Sequence, residues 1–220
     1  ADMLTAYYGK ECDSRELFSG LKISQNAVFA QHLNQYPTIF LNMQEFLSRS
    51  KEIGQVIDRV RRMLLRELKN SYPDVDYFDD TDLVESLQDI YAATKQSFVI
   101  IIDEWDVLIR DESANKKVQD EYIRFLRGMF KGTEPTKYIQ LAYLTGILPI
   151  KKEKTQSALN NFREYSMLNA GCLASYIGFT EDEVKALCET YKKDFTEVKR
   201  WYDGYLLKDY QVYNPRAVVS

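Results

Sequence analysis

The stretch that most constrains the fold is a run of five apolar residues that ends in two carboxylates. Phe98, Val99 and three consecutive isoleucines lead directly into Asp103 and Glu104. Unbroken β-branched hydrophobicity predicts a strand that is buried on both faces, as in the middle of a parallel α/β sheet. Because an unpaired buried carboxylate is costly, we expect both carboxylates at the exposed C-terminal edge of that sheet, where ligands bind in open α/β folds.

The segments around this strand alternate between strand-like and helix-like patterns. Further strands are predicted at 38–43 and 138–144. Amphipathic helices are predicted at 50–70, at 81–91 and at 118–130. Ser50 and Thr81 are the predicted starts of the first two helices. This alternation favours an α/β fold with a parallel sheet and helical crossovers.

The character of the sequence changes around residue 147. A short basic loop, predicted to be solvated, is formed by Lys151, Lys152 and Lys154. Thr180–Glu183 is a capping box that begins a helix, and we expect Trp201 and Tyr202 to anchor the packing of a small helical region. We therefore divide the chain into an α/β core at 1–150 and a helical, lid-like appendage at 151–220.

Composition argues against several classes of protein. A net charge of −4 and a pI near 5.3 do not indicate nucleic-acid binding. Three widely spaced cysteines without a Cys-x-x-Cys pair predict reduced thiols and a cytoplasmic protein. The single histidine, His32, rules out a histidine-rich metal site. No segment approaches the ~20 apolar residues of a membrane span.

The two carboxylates after the central strand have a definite chemical use. Asp103 can orient a water bound to Mg²⁺ beside nucleotide phosphates, and Glu104 can polarise an attacking water. The alternative is that Asp103 caps the following turn and Glu104 is merely solvated. Thr145 follows the last predicted strand, so it would lie on the same edge, where its hydroxyl could bind the water or the terminal phosphate. Its alternative role is to satisfy backbone groups at the strand end.

One element of a nucleotide site is absent from these 220 residues. A phosphate-binding loop needs the pattern Gly-x-x-x-x-Gly-Lys-Ser/Thr, whose backbone N–H groups and lysine cradle the phosphates. None of the nine glycines forms this pattern, and Gly9-Lys10 is followed by Glu11. Residues 1–8 have helical spacing without an N-cap, which suggests that further residues precede them.

Several sequence blocks, in this order, resemble the predicted AAA-ATPase-like proteins of bacteria, a branch of the P-loop NTPases. Blocks that carry the resemblance are Glu16–Leu21, Ile102–Asp106, Leu144–Leu148, Leu159–Phe162, Gly178–Val184, Trp201–Tyr205 and Tyr213–Pro215. They extend over nearly the whole chain. The Asp-Glu strand is only weakly specific, whereas the later blocks in this order are much more so.

The resemblance implies a P-loop NTPase-like core that lacks its first strand, with ATP and Mg²⁺ as ligands. Asp103 and Glu104 then match the Walker B position, with Asp103 holding Mg²⁺ through water and Glu104 acting as the catalytic residue. Thr145 matches a sensor-like position. The family's phosphate loop would precede residue 1, so the chain resembles a domain cut just after it. Members of the family often carry a C-terminal nuclease-like domain.

Two hypotheses follow for the function. The first is an ATP-hydrolysing domain, inactive or nearly so as these 220 residues alone because the phosphate loop is missing. The second is a non-catalytic module that keeps the NTPase scaffold to bind a protein partner. It is motivated by the missing loop and by 16 tyrosines and 11 phenylalanines, more aromatic surface than a small core needs.

Overall fold

The chain forms two compact units, Ala1–Asn161 and Phe162–Ser220. The computed structural model describes residues 1–111, 114–149, 159–202, 204–207 and 210–219. The predicted basic loop of Lys151, Lys152 and Lys154 lies outside the described residues.

Helices and parallel strands alternate in the first unit. Its strands are β1 (Thr38–Asn42), β2 (Phe98–Asp103) and β3 (Ile139–Leu144). Its helices are α1 (Asp2–Tyr8), α2 (Arg15–Phe18), α3 (Phe29–His32), α4 (Met43–Ser48), α5 (Val56–Ser71), α6 (Leu83–Thr94), α7 (Val107–Arg110), α8 (Lys116–Phe130) and α9 (Pro135–Tyr138). Short 3₁₀ turns occupy Lys22–Gln25 and Ile53–Gln55.

The strand that ends in Asp103 is the central strand of this sheet. β2 pairs in parallel with β1 on one side and with β3 on the other. The side chains from Phe98 to Ile102 are at most 1% exposed, because neighbours cover both faces of the strand. The prediction of an α/β fold with a parallel sheet is thus confirmed.

The long helices between the strands bury an apolar stripe. In α5 the buried positions recur every three or four residues, as at Val56, Val60 and Leu64. The same spacing buries Val118, Tyr122 and Phe125 in α8. Each such aliphatic or aromatic side chain contributes roughly 1.5–3 kcal/mol when removed from water. Packing of these stripes therefore stabilises the helices.

The predicted helix starts need correction. Ser50 does not begin α5, because its hydroxyl donates to the carbonyl of Phe46 (2.8 Å) and a 3₁₀ turn intervenes before Val56. The N-cap of α6 is Asp82 rather than Thr81, since the Asp82 carboxylate accepts from two backbone N–H groups of the first turn. Local side-chain hydrogen bonds set these boundaries, and periodicity alone does not reveal them.

The second unit contains a small antiparallel sheet that the sequence did not predict. Its helices are α10 (Glu181–Tyr191), α11 (Phe195–Tyr202) and α12 (Pro215–Val219). Its strands are β4 (Phe179–Thr180), β5 (Tyr205–Leu207) and β6 (Tyr210–Tyr213), in the order β4-β6-β5. A helical appendage is therefore an incomplete description. Two to four residues are too few to show the alternation that identifies a strand.

The capping box at the start of α10 is confirmed. Thr180 Oγ1 accepts from the backbone N–H of Glu183, and the Glu183 carboxylate accepts from the backbone N–H of Thr180. The predicted packing role of Trp201 and Tyr202 is wrong, since they are 73% and 41% exposed. Phe195 and Val198 pack against the buried cluster around Val184 in their place.

Within the part of the chain that the structure describes, no helix is both long enough and apolar enough to cross a membrane. All three cysteines carry free thiols.

A pair of isoleucines tests the assignment of β2 as the centre of the core. Ile101 is 0% exposed, whereas Ile147 is 72% exposed. We expect Ile101→Ala to lower the free energy of unfolding by about 2–5 kcal/mol, through lost burial and a cavity. Ile147→Ala should change it by less than about 0.5 kcal/mol. Urea unfolding followed by the fluorescence of the buried Trp105 measures both, and equal effects would contradict the assignment.

Candidate active site at the C-terminal edge of the sheet

The ends of the three parallel strands bring the predicted site residues together. Asn42 ends β1 and stands opposite Asp103 in the register, while Ile102 stands opposite Leu144 at the end of β3. Thr145 follows directly, and its backbone N–H donates to the carbonyl of Ile102 (2.9 Å). Asp103, Glu104 and Thr145 therefore share one edge of the sheet.

Asp103 is held by two donors on one of its oxygens. Its Oδ1 accepts from the hydroxyl of Thr145 and from the backbone N–H of Glu104 (3.2 Å). Among the described residues no hydrogen bond reaches Oδ2, and the side chain is partly exposed. One oxygen is thus fixed in place and the other is open to a ligand.

Glu104 lies at an unusual backbone position. Its φ of 53° is in the left-handed region, which costs a residue with a side chain roughly 1–3 kcal/mol and is concentrated at functional sites. The turn is fixed by the next residue, because the N–H of Trp105 donates to the carbonyl of Thr145 (2.9 Å). The Glu104 carboxylate forms an ion pair with Arg110, and the two side chains are 36% and 32% exposed.

Asp106 is a fully buried carboxylate that sequence reasoning did not assign to the site. Its Oδ2 accepts from the backbone N–H groups of Ile147 (3.2 Å) and Leu148 (2.7 Å) and lies 3.4 Å from Arg110 Nε. Its Oδ1 has no hydrogen-bond partner in the described structure. The available signals were a third carboxylate in the run Asp-Glu-Trp-Asp and its i,i+4 spacing to Arg110. Asp106 connects the loop after β2 to the loop after β3.

Arg110 is consequently anchored between two carboxylates. Its Nε faces the buried Asp106, and a terminal nitrogen of the same guanidinium meets Glu104. A guanidinium presents several donors in a fixed plane, so the contact with Asp106 also restricts where the Glu104 carboxylate can lie.

The loop after β3 leaves no room for a side chain at Gly146, which lies next to Asp106. A Cβ at Gly146 would come within 2.5 Å of Asp106 Oδ1 and 2.7 Å of Trp105 Cδ1. Tyr122 supports the loop after β2, because its hydroxyl donates to the carbonyl of Trp105 (2.6 Å). Burial, and then the negative charge of Asp106, raise the pKa of Tyr122, so its hydroxyl stays protonated as a donor.

Two surface concavities of the first unit are lined by residues of the α4–α5 connection, of α5 and of α8, and neither includes Asp103 or Glu104. Within the described residues there is no group of three or more His, Cys, Asp or Glu side chains placed to hold a metal ion. A cation at this edge would therefore depend on few protein ligands, which is how Mg²⁺ is often held at nucleotide sites.

Comparisons with known proteins identify the family to which the chain belongs. The chain is 28% identical over 134 residues to a protein of Azotobacter chroococcum mcd 1 described as "Uncharacterized protein in vnfD 5'region". That alignment covers 60% of this chain but only 26% of the relative's length. A family model described as "Predicted AAA-ATPase" matches residues 1–155, a segment that includes Asp103, Glu104 and Thr145. By this match, the chain belongs to the predicted AAA-ATPase family.

Proposed function

We propose that the first unit is an ATP-hydrolysing domain of the P-loop NTPase kind, with its reaction at the C-terminal edge of the sheet. The observation that carries the proposal is the pairing of Asp103 with Thr145 across two strand ends, with Glu104 beside them. Membership of the predicted AAA-ATPase family supports it. In this proposal the carboxylates at the end of β2 occupy a Walker B position.

Asp103 fits a magnesium ligand that acts through water. Its open oxygen can accept a hydrogen bond from a metal-bound water, while Thr145 and the Glu104 N–H hold the other oxygen. Mg²⁺ keeps several waters and uses few carboxylates, which matches the sparse donor set here. Bound Mg²⁺ would supply positive charge against the phosphate oxygens during transfer.

Glu104 is the proposed residue for orienting the attacking water. Its carboxylate is partly exposed at the edge, and Arg110 restrains one of its oxygens. The other oxygen can accept a proton or hydrogen bond from water next to the terminal phosphate. Thr145 then acts as a positioning residue, because its hydroxyl fixes the carboxylate of Asp103.

A substitution at Glu104 tests its role directly. In the intact gene product, we expect Glu104→Gln to lower kcat for ATP hydrolysis by about 10²–10⁴-fold, because the amide is a poor base. ATP binding should be retained, since the amide keeps the size of the carboxylate. Glu67→Gln, on the exposed side of α5, is the matched control. Unchanged turnover in Glu104→Gln would remove Glu104 from the mechanism.

Two substitutions distinguish the role of the Thr145 hydroxyl from that of the shape of the side chain. Thr145→Val keeps the branched side chain but loses the donor to Asp103, whereas Thr145→Ser keeps the donor. A hydrogen bond to a charged group contributes about 1.5–3 kcal/mol, so we expect Thr145→Val to slow hydrolysis by roughly tenfold or more. Thr145→Ser should remain near the parent rate. Equal rates for the two variants would show that the hydroxyl is not used.

The chain of 220 residues should itself bind ATP weakly. It contains no Gly-x-x-x-x-Gly-Lys-Ser/Thr loop, so the backbone amides and lysine that normally cradle the phosphates are not supplied by this sequence. Calorimetric titration of the chain with MgATP is expected to give no tight binding. A low-micromolar or tighter Kd would contradict this expectation and would require another phosphate site.

A second candidate function, a protein-binding module, is favoured by the surface of the second unit. Trp201, Tyr205 and Leu206 are 73%, 59% and 70% exposed, and aromatic side chains are enriched at interaction surfaces. If the intact protein neither binds nor hydrolyses ATP, this function is the better assignment. Measurable hydrolysis that is abolished in Glu104→Gln would favour the enzyme.

A further inference from the structure

A concavity rich in cations lies between the end of α4 and the start of α5. It has a volume of about 260 Å³ and is lined by Arg49, Ser50, Lys51, Gln55, Arg59 and Arg62. Four of these six side chains are positively charged and none is a carboxylate. We call this surface the basic concavity. It is separate from Asp103 and Glu104, and nothing in the proposed hydrolysis uses it.

The cations of the basic concavity are available to a ligand. Among the described residues, Lys51, Arg59 and Arg62 form no ion pair. Arg49 pairs with Glu45 at 3.2 Å, but the two side chains are 69% and 57% exposed, and such a surface pair contributes little. A stronger anion can therefore displace Glu45 at small cost.

Two of the arginines are held in place by backbone carbonyls. A terminal nitrogen of Arg59 donates to the carbonyl of Arg49, and Arg62 Nε donates to the carbonyl of Asp58 (3.4 Å). These hydrogen bonds orient the guanidinium groups and leave other N–H donors free. Guanidinium donors in a fixed plane match the geometry of phosphate oxygens.

The connection that lines the basic concavity passes beside the start of α8. A Cβ at Gly54 would lie 3.9 Å from Val118 Cγ2, so the connection before α5 passes beside the first turn of α8. That turn carries Lys116 and Lys117, which line a second concavity with Arg124 and with two acids, Asp120 and Glu121. The second concavity therefore has mixed charge, whereas the lining of the basic concavity carries only positive charge on a chain whose net charge is −4.

We propose that the basic concavity binds the phosphodiester backbone of a nucleic acid. Several cations in adjacent positions suit a ligand with successive phosphates, and such contacts dominate non-specific nucleic-acid affinity. The lining has no aromatic side chain on which bases could stack. Binding should therefore follow the backbone, be independent of base sequence and weaken steeply with salt. The lining also has no large apolar residue to enter a lipid surface.

Fluorescence anisotropy with a labelled 20-nucleotide single-stranded DNA of mixed sequence tests this proposal on the chain itself. At 50 mM salt we expect a Kd in the micromolar range, roughly 10⁻⁴–10⁻⁶ M or tighter, as for non-specific binding. Arg59→Glu/Arg62→Glu should raise Kd at least tenfold. The slope of log K against log salt should become shallower by about 0.7 for each phosphate that the variant no longer neutralises.

Matched variants separate a local site from general charge. Lys192→Glu/Lys193→Glu makes the same change in charge at exposed positions of the second unit and should leave Kd within about twofold of the parent. Lys51→Glu, in the connection before α5, provides a second disruption that leaves the helices unaltered. Thermal melts establish that each variant is folded.

Four results would overturn the proposal. The first three are no binding of the DNA at 50 mM salt, an equal loss of affinity in the Lys192/Lys193 control, and binding of poly-glutamate as tight as that of DNA. The third of these would assign the surface to an acidic protein segment. Complete displacement of the DNA by equimolar ATP would likewise overturn it, by identifying a site for a single nucleotide's phosphates.

Discussion

The buried carboxylate of Asp106 is the interaction on which the edge of the sheet depends. An isolated charge in this position would be prohibitively unfavourable. Here two backbone N–H groups of the loop after β3 and the guanidinium of Arg110 surround one of its oxygens. Removing any one partner would leave a buried charge poorly compensated, which typically costs several kcal/mol. The carboxylate therefore fixes the loop after β2 against the loop after β3.

The arrangement of the other residues at this edge follows from the way Asp106 joins the two loops. Gly146 must lack a side chain because Asp106 and Trp105 fill the space beside it. The sharp turn after β2 forces Glu104 into a left-handed conformation, and Arg110, held by Asp106, meets the Glu104 carboxylate at the edge. The strain at Glu104 is thus compensated by packing and hydrogen bonds around it.

The parts of this structure that were predictable carry a local signal in the sequence. Local sequence patterns favour a strand or a helix in each case, and packing reinforces that preference. These patterns are the buried run before Asp103, the apolar stripes of α5 and α8, and the capping box at Thr180. From these follow the parallel sheet and the shared edge of Asp103 and Thr145.

The residues that sequence reasoning missed depend on distant parts of the chain. Asp106 accepts a hydrogen bond from Ile147, 41 residues further along, so its local i,i+4 spacing to Arg110 does not reveal that it joins the two loops. The strands β5 and β6 are too short to show a period. The exposure of Trp201 depends on which side of α11 faces its neighbours, and the aromatic character of the residue does not determine that side.

We propose that the two strand ends joined by Asp106 form one nucleotide site. The most direct test is a crystal structure of the intact gene product with Mg²⁺ and a non-hydrolysable ATP analogue. We expect the ion to lie opposite the open oxygen of Asp103 with a water between them. Thr145 should still donate to the other oxygen, and the terminal phosphate should lie near Glu104. An analogue and ion bound away from this edge, with Asp103 and Glu104 facing only solvent, would contradict the proposal.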